Sequence, residues 1–523
     1  MRFRPTVCLI ASTILLGSVT HANTIRWARS DDALSLDPHA TSQAITANFL
    51  THIYETLVDA DASGKIVPRL ATEWYRSETN PKVWVFKLRE NVTFHDGADF
   101  TAEDVVFSLN RARSDAAATK GYHTGVADVR AIDNYTVEVE TVEPMPTYPN
   151  QLIITFMMDK DWSEAHDLTK VQDFKSGDEN FAVRNENGTG PYVLKDRDPG
   201  VKSTMTTFES HWAETKPDVT GIEFFVISDA ATRTAALLSG EVDLILDVPS
   251  QDVTRLGQTD GVKIVSGPEN RVLFFGYRMA GDLNNAKTGT PSPFADARVR
   301  EAVELAVDRD AITTMIMRGA SIPTDVVAPP FVHGYTDDLP AYPAPDIEQA
   351  KALLAEAGYP DGFTVTLDTP NNRYPNDEAI SQATAGMLGR AGIKVNLASR
   401  PVSQHSQTVF KGESDFWLLG WGVPTFDTSY TFNGLYHSRT GTYGSYNLMG
   451  YVNPDLDALI EAVNVEMDPS KRDDLIAQTW DIIQSDRPIL ALHNQILSYA
   501  MRDNVTLEVH PSDMPRMDTV TFE

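Results

Sequence analysis

The sequence predicts an α/β protein of two lobes with a cleft between them. Three observations point there. The chain has 523 residues, too many for a single hydrophobic core, so two or three domains are expected. Helical and strand patterns alternate along it in two separate runs, as α/β units do. One stretch, residues 410–451, stands apart in composition: eleven of its 42 residues are aromatic, against 9% for the chain. Rigid aromatics mixed with glycines at 420, 422, 434, 441, 444 and 450 suit the wall of a ligand cleft, or a loop-rich piece of core.

Composition narrows the class. The chain is 42% hydrophobic and 22% charged, ordinary for a globular protein. Its net charge of −29 disfavours nucleic acid and anionic membrane surfaces as partners. Residues 1–22 read as a cleavable export signal. Arg2 and Arg4 precede an apolar run over 7–19, and Thr20-His21-Ala22 places small residues at −3 and −1. The only cysteine, Cys8, lies inside that signal, so the mature chain has neither disulfide nor thiolate chemistry. No later run reaches the roughly 18 apolar residues of a membrane span. The expected location is the periplasm.

Taken in order, residues 24–28 read as a strand. Residues 46–57 read as a helix, with Phe49, Leu50, Ile53 and Leu57 on one face. Residues 84–88 and 92–94 alternate like a hairpin turning at His95-Asp96-Gly97. Thr101 opens a helix, with Asp104 three residues on completing a near capping box. Residues 135–142 are a further strand. Gly188-Thr189-Gly190-Pro191 marks a boundary before a strand at 192–194. A helix over 229–238, ended by Gly240, leads into apolar residues 242–248. The second run starts at Arg271, with a buried strand at 272–277 and a long helix from Phe294 to about Arg318. Asp346 caps a helix ending at Gly358, and a strand at 363–367 follows. Next come a helix at 380–389, a strand at 393–397, helices at 455–465 and 472–485, and a last strand at 488–493.

Catalytic motifs are missing. There is no Gly-x-Ser-x-Gly, His-Glu-x-x-His or Walker loop, and the histidines are too scattered for a metal site. Nothing calls for a cofactor. His437, inside the aromatic stretch, is the one histidine kept as a ligand candidate. Arg373, with Tyr374 beside it, follows the strand at 363–367, and the C-terminal ends of such strands bind ligands. A guanidinium there holds a carboxylate bidentately, or is merely a solvated turn residue. Asp427 either pairs a ligand ammonium or caps a helix at 428–432.

A run of ordered segments carries a family resemblance: YETL (54–57), PRLATEW (68–74), FKLRENVTFHDG (86–97), FTAEDVVFSL (100–109), GTGPY (188–192), GEVD (240–243), FADARVREAV (294–303), AVDR (306–309) and KALLAEAG (351–358). With these the chain resembles the family 5 extracellular solute-binding proteins, the oligopeptide, dipeptide and nickel binders of bacterial ABC importers. The resemblance implies a type II periplasmic-binding-protein fold with an extra subdomain. Lobe I would comprise residues 23–270 plus 493–523, with the subdomain at about 58–186, and lobe II residues 271–492. It implies no enzymatic activity. A monomer would capture a short peptide or similar small molecule in a closing cleft and present it to a permease served by ATPase subunits. The alternative keeps the fold and changes the solute to glutathione, an opine, an oligosaccharide or a metal chelate. In the family's peptide binders an arginine at the place of Arg373 holds the ligand carboxylate. An aspartate three residues after the tryptophan of the Gly-Trp motif takes the ammonium. Here Trp421, the expected platform, is followed at that spacing by Pro424, so either Asp427 substitutes from three residues further on or the ligand offers no α-amine in the usual way. Ser42 and Gln43 match the lobe-I segment that lines the same cleft.

Overall fold

The computed structural model describes residues 23–523 except 174–178, 285–288, 337 and 340. The expected export signal, with Cys8, lies outside the described residues. Two long antiparallel strands, Val262–Tyr277 and Ile489–Arg502, form the middle of one large mixed sheet. On one side they continue through Phe416–Trp421, Phe363–Pro370 and Ile393–Arg400. On the other they continue through Leu244–Ile245, Thr24–Arg29, Gly221–Val226, Lys202–Thr207 and Tyr192–Asp198.

The pairing of the two long strands breaks between Pro268 and Val272. Three residues, Glu269, Asn270 and Arg271, bulge there, and their side chains replace the lost ladder. Asn494 Nδ2 donates to the carbonyls of Glu269 (2.6 Å) and Arg271 (2.8 Å). The Asn270 amide exchanges two hydrogen bonds with the Val423 backbone, at 2.7 and 3.0 Å. A bulge re-aims a strand, and this one separates two cores. Ile25, Trp27, Phe49, Phe224 and Tyr499 belong to the first; Phe275, Tyr277, Phe294, Leu367 and Phe416 belong to the second. A third cluster packs Trp417, Trp421, Phe432 and Trp480 on the opposite face of the second half. A separate four-stranded antiparallel sheet, in the order Ala71–Arg76, Val83–Leu88, Thr136–Thr141, Val126–Asp133, packs on the helix Ala102–Ala112 with its own core. The result is the two-lobed α/β fold that the sequence predicts.

Three elements differ from expectation, each for a non-local reason. The first helix is Ala44–Leu50 and stops short of Leu57. The carbonyls of His52 and Ile53 are taken by the N–H groups of Tyr192 (3.0 Å) and Gly190 (2.8 Å), which pull the chain out of the helix. Strand Val83–Leu88 pairs with Ala71–Arg76 and Thr136–Thr141, not with residues 92–94. The turn at Gly97 (φ +95°) instead brings Thr93 opposite Asp99. The helix expected from Phe294 to Arg318 breaks after Ala306: Val307 is extended, and Asp308 caps a new turn by accepting from Ala311 N–H at 2.8 Å.

Candidate functional site

Strand Phe363–Pro370 runs parallel to Phe416–Trp421, with Leu367 opposite Phe416 and Asp368 opposite Trp417. The segments leaving their C-terminal ends therefore lie side by side, where open α/β sheets carry ligands. Asp377 fixes the first of them, its Oδ2 accepting from the N–H groups of Arg373 (2.9 Å) and Tyr374 (3.1 Å). The Tyr374 ring lies flat along the neighbouring strand, its hydroxyl accepting from Gly420 N–H at 2.8 Å. Only glycine allows this, because a Cβ at 420 would come within 2.8 Å of that ring.

Gly434 plays the same part for the indole of Trp421, which a Cβ would meet at 2.8 Å. Trp421 Nε1 donates to Thr431 Oγ1 at 3.1 Å, and its ring packs against Tyr430 and Tyr446 with centroids 5.3 and 5.0 Å apart. Trp421, Tyr446, Tyr374 and Phe274 line a cavity of about 140 Å³ that Arg373 also lines. The aromatic richness of residues 410–451 thus serves core and cavity at once.

Arg373 is solvent-facing, with its guanidinium carbon 5.2 Å from the Tyr374 ring centre. Among the described residues no carboxylate pairs with it. Desolvation in the cleft and the charge of Arg271 push its pKa down, against the pull of Glu269. That is the electrostatic setting of a cation waiting for an anion. Glu269 and Arg271 went unnoticed in the sequence. Their ion pair (2.8 Å) sits at the bulge, and Glu269 Oε2 is buried without a partner.

Asp427 corrects an expectation. It is buried, and Arg472 grips both its oxygens at 2.9 and 2.7 Å. His333 Nδ1 lies 2.9 Å from Oδ2, and Ser429 N–H donates to Oδ1 at 2.9 Å. Burial pushes its pKa up, but Arg472 and the His333 hydrogen bond outweigh burial and hold the carboxyl well below the usual range. It caps the turn that follows and neutralises Arg472, so the geometry does not free it for a ligand ammonium. His437 is likewise occupied: buried, stacked on Tyr443 at 4.4 Å, with Nε2 3.3 Å from Glu461. Ser42 and Gln43 are exposed just before helix Ala44–Leu50, and among the described residues neither side chain hydrogen-bonds to a lobe-II group.

The lobes meet around this wall. Tyr122 of the small subdomain stacks on Tyr430 at 6.1 Å, Asn150 Nδ2 donates to Thr425 O at 2.8 Å, and Asn376 Nδ2 donates to Ser250 Oγ at 3.0 Å. A two-lobed fold whose lobe contacts flank an aromatic cavity in the second lobe, edged by a cation that pairs with no carboxylate among the described residues, has the form of a solute-binding protein of the periplasmic-binding class. The chain belongs to the bacterial extracellular solute-binding proteins, family 5, whose model matches residues 65–443. Glutathione-binding protein GsiB of Salmonella paratyphi A is 25% identical over 507 residues, covering 95% of this chain and 94% of the relative. GsiB of Escherichia coli K12 is 26% identical over 510 residues, with the same coverage. Among solved structures, HbpA2 from Haemophilus parasuis superposes with a TM-score of 0.80 at 23% identity, covering 96% of this chain and 100% of that one. AgaA of A. tumefaciens R10, in complex with agropinic acid, gives 0.77 at 24% identity, covering 96% and 99%. DppA of Helicobacter pylori, in complex with the peptide STSA, gives 0.76 at 22%, covering 96% and 98%.

Proposed function

We propose that this protein is the periplasmic capture component of an ABC importer and takes short peptides between its lobes. The observation that carries this is Arg373, a cleft guanidinium with no carboxylate of its own, beside an aromatic cavity. In this reading Arg373 holds the ligand carboxylate, Tyr374 and Trp421 form the platform, and Ser42 and Gln43 approach from lobe I as it closes. Residues 23–270 with 493–523, and residues 271–492, are the moving bodies. The bulge at 269–271 and the opposing Asn494 form the hinge. Residues 1–22 direct export. The mature monomer performs no chemistry on its cargo, needs no cofactor, and delivers it to a membrane permease with ATPase subunits.

A second reading keeps the fold and replaces the peptide by another carboxylate-bearing solute. Pro424 favours it, standing where peptide binders place the ammonium partner, as do the names of the glutathione-binding and agropinic-acid-binding relatives. Mass spectrometry of the solute released from freshly purified protein separates the two readings. A thermal-shift panel of di- to pentapeptides, glutathione, sugars and metal chelates supports it. A ligand at 100 times its dissociation constant stabilises by about 2.7 kcal/mol. No shift with any peptide, together with a shift from a sugar or chelate, defeats the peptide reading. Arg373→Ala is expected to weaken binding by about 2–5 kcal/mol; unchanged affinity by titration calorimetry removes Arg373 from the site.

A further inference from the structure

The cavity beside Arg373 has a built character that a generic, water-filled side-chain pocket does not need. Its walls are almost wholly apolar or aromatic: Phe274, Trp421 and Leu435 are buried, and Leu419, Phe410 and Tyr446 complete the surface. No acid lines it. Its one histidine, His405, is buried, with Nε2 2.9 Å from Leu418 O and Nδ1 without a hydrogen-bond partner among the described residues. Burial pushes that imidazole's pKa down, so it stays uncharged at neutral pH. The Tyr374 hydroxyl is taken by Gly420 N–H and the Trp421 indole N–H by Thr431, so both rings turn satisfied polar atoms away. Two glycines hold the walls in place, since a Cβ at either 420 or 434 would enter the ring it supports.

Size then decides the occupant. For scale, a cavity of roughly 150 Å³ accommodates a benzene ring; this one is open on one side, where Phe410 and Tyr446 are exposed. This one measures about 140 Å³. It therefore has room for a single branched aliphatic or phenyl group. Arg373 at its edge requires that this group be carried next to a carboxylate.

Resting on the carboxylate role given above to Arg373, we infer that this cavity is a selective side-chain subsite. It takes an apolar group the size of Leu, Met or Phe on the residue that bears the ligand's free carboxylate. A solute ending in glycine leaves the cavity empty. The ligand class is accordingly a short peptide or N-acylated amino acid with an apolar C-terminal residue, and glutathione, which ends in glycine, is a poor fit.

The test is titration calorimetry on the full mature chain with Ala-Leu, Ala-Phe, Ala-Gly, glutathione and the amide of Ala-Leu. In a hydrophobic pocket a single methylene discriminates by roughly 10–200-fold. Ala-Leu and Ala-Phe are therefore expected to bind at least about tenfold more tightly than Ala-Gly and glutathione, and the amide to lose most of that affinity. The pocket-filling variant Ser406→Phe, on the half-exposed rim, is expected to bring Ala-Leu and Ala-Phe down to the affinity of Ala-Gly. Val402→Phe, from the same helix, provides a second obstruction if the first lowers the melting temperature. Equal affinity for all the dipeptides, or an undiminished preference in both filled variants, overturns the subsite but leaves the peptide reading standing. Binding of glutathione with no dipeptide binding at all overturns both.

Discussion

Asp427 and Arg373 look alike in the sequence, each a lone charge beside a strand end, yet the structure gives them opposite energetics. Among the described residues Asp427 is the only carboxylate paired with Arg472, itself 95% buried. Breaking a buried pair from one side leaves an uncompensated charge and costs roughly 3–5 kcal/mol. Asp427→Ala is therefore expected to lower the urea midpoint sharply, while ligand affinity measured well below the melting temperature stays the same. A stable Asp427→Ala protein that no longer binds would restore the ligand role. Arg373→Ala removes a solvent-facing cation that pairs with no carboxylate among the described residues, so its unfolding midpoint is expected to hold even as affinity for the proposed ligand falls. Sequence could not separate the two residues. What decides is Arg472, 45 positions downstream of Asp427 and brought back only by tertiary packing.

At the level of elements, what was legible was local. The caps at Thr101 and Asp346 each act within three residues: Thr101 N–H bonds Asp104, and Asp346 accepts from Gln349 N–H. The left-handed Gly240 ends its helix as glycine commonly does at that position. Where the reading failed, a distant partner overrode the local pattern, as at residues 52–53 and 92–94. The cavity was half legible: its aromatic wall stood out, but Phe274 and the helix Val402–Phe410 gave no sign of facing it. Gly188 and Gly190 show how such a distant partner constrains sequence. A Cβ at Gly190 would lie 2.6 Å from the carbonyl of Ile53 and 2.7 Å from that of His52. That contact is backbone on backbone and cannot yield by a rotamer change, so Gly190→Ala is expected to cost about 1–3 kcal/mol or more. Chemical denaturation would register this as a lower midpoint with unaltered ligand affinity; an unchanged midpoint would show that the first lobe does not depend on this crossing.

The whole molecule adds a response to pH that no single element contains. His39, His52, His123 and His493 are all buried, in the first lobe, its subdomain and the hinge strand. Burial is the leading cause in each case and pushes their pKa values down, to about 3 for His39 and to about 4 for the other three. Between pH 6.5 and 4 the unfolded chain therefore binds protons that the folded chain refuses, and stability falls as the pH falls through that window. A histidine shifted from about 6.5 to about 4 contributes roughly 2 kcal/mol of loss at pH 5. An opposing effect exists: the chain carries a net charge of −29, and protonation relieves self-repulsion. Ordinary carboxylates titrate near pH 4, however, and scarcely change charge between pH 7 and 5. Glu304, pushed by burial up to about 7, and His333, raised by its hydrogen bond to Asp427, take up protons on folding and pull the other way. Four depressed histidines against these two leave the balance with the histidines, and the melting temperature of the ligand-free protein is expected to drop by several degrees from pH 7 to pH 5. A flat or rising melting temperature over that interval, measured by scanning calorimetry at constant ionic strength, would show that these imidazoles reach protons without unfolding. In the proposed complex the ligand's contribution separates from this one, because arginine stays charged throughout and an ordinary carboxylate remains ionised above pH 5.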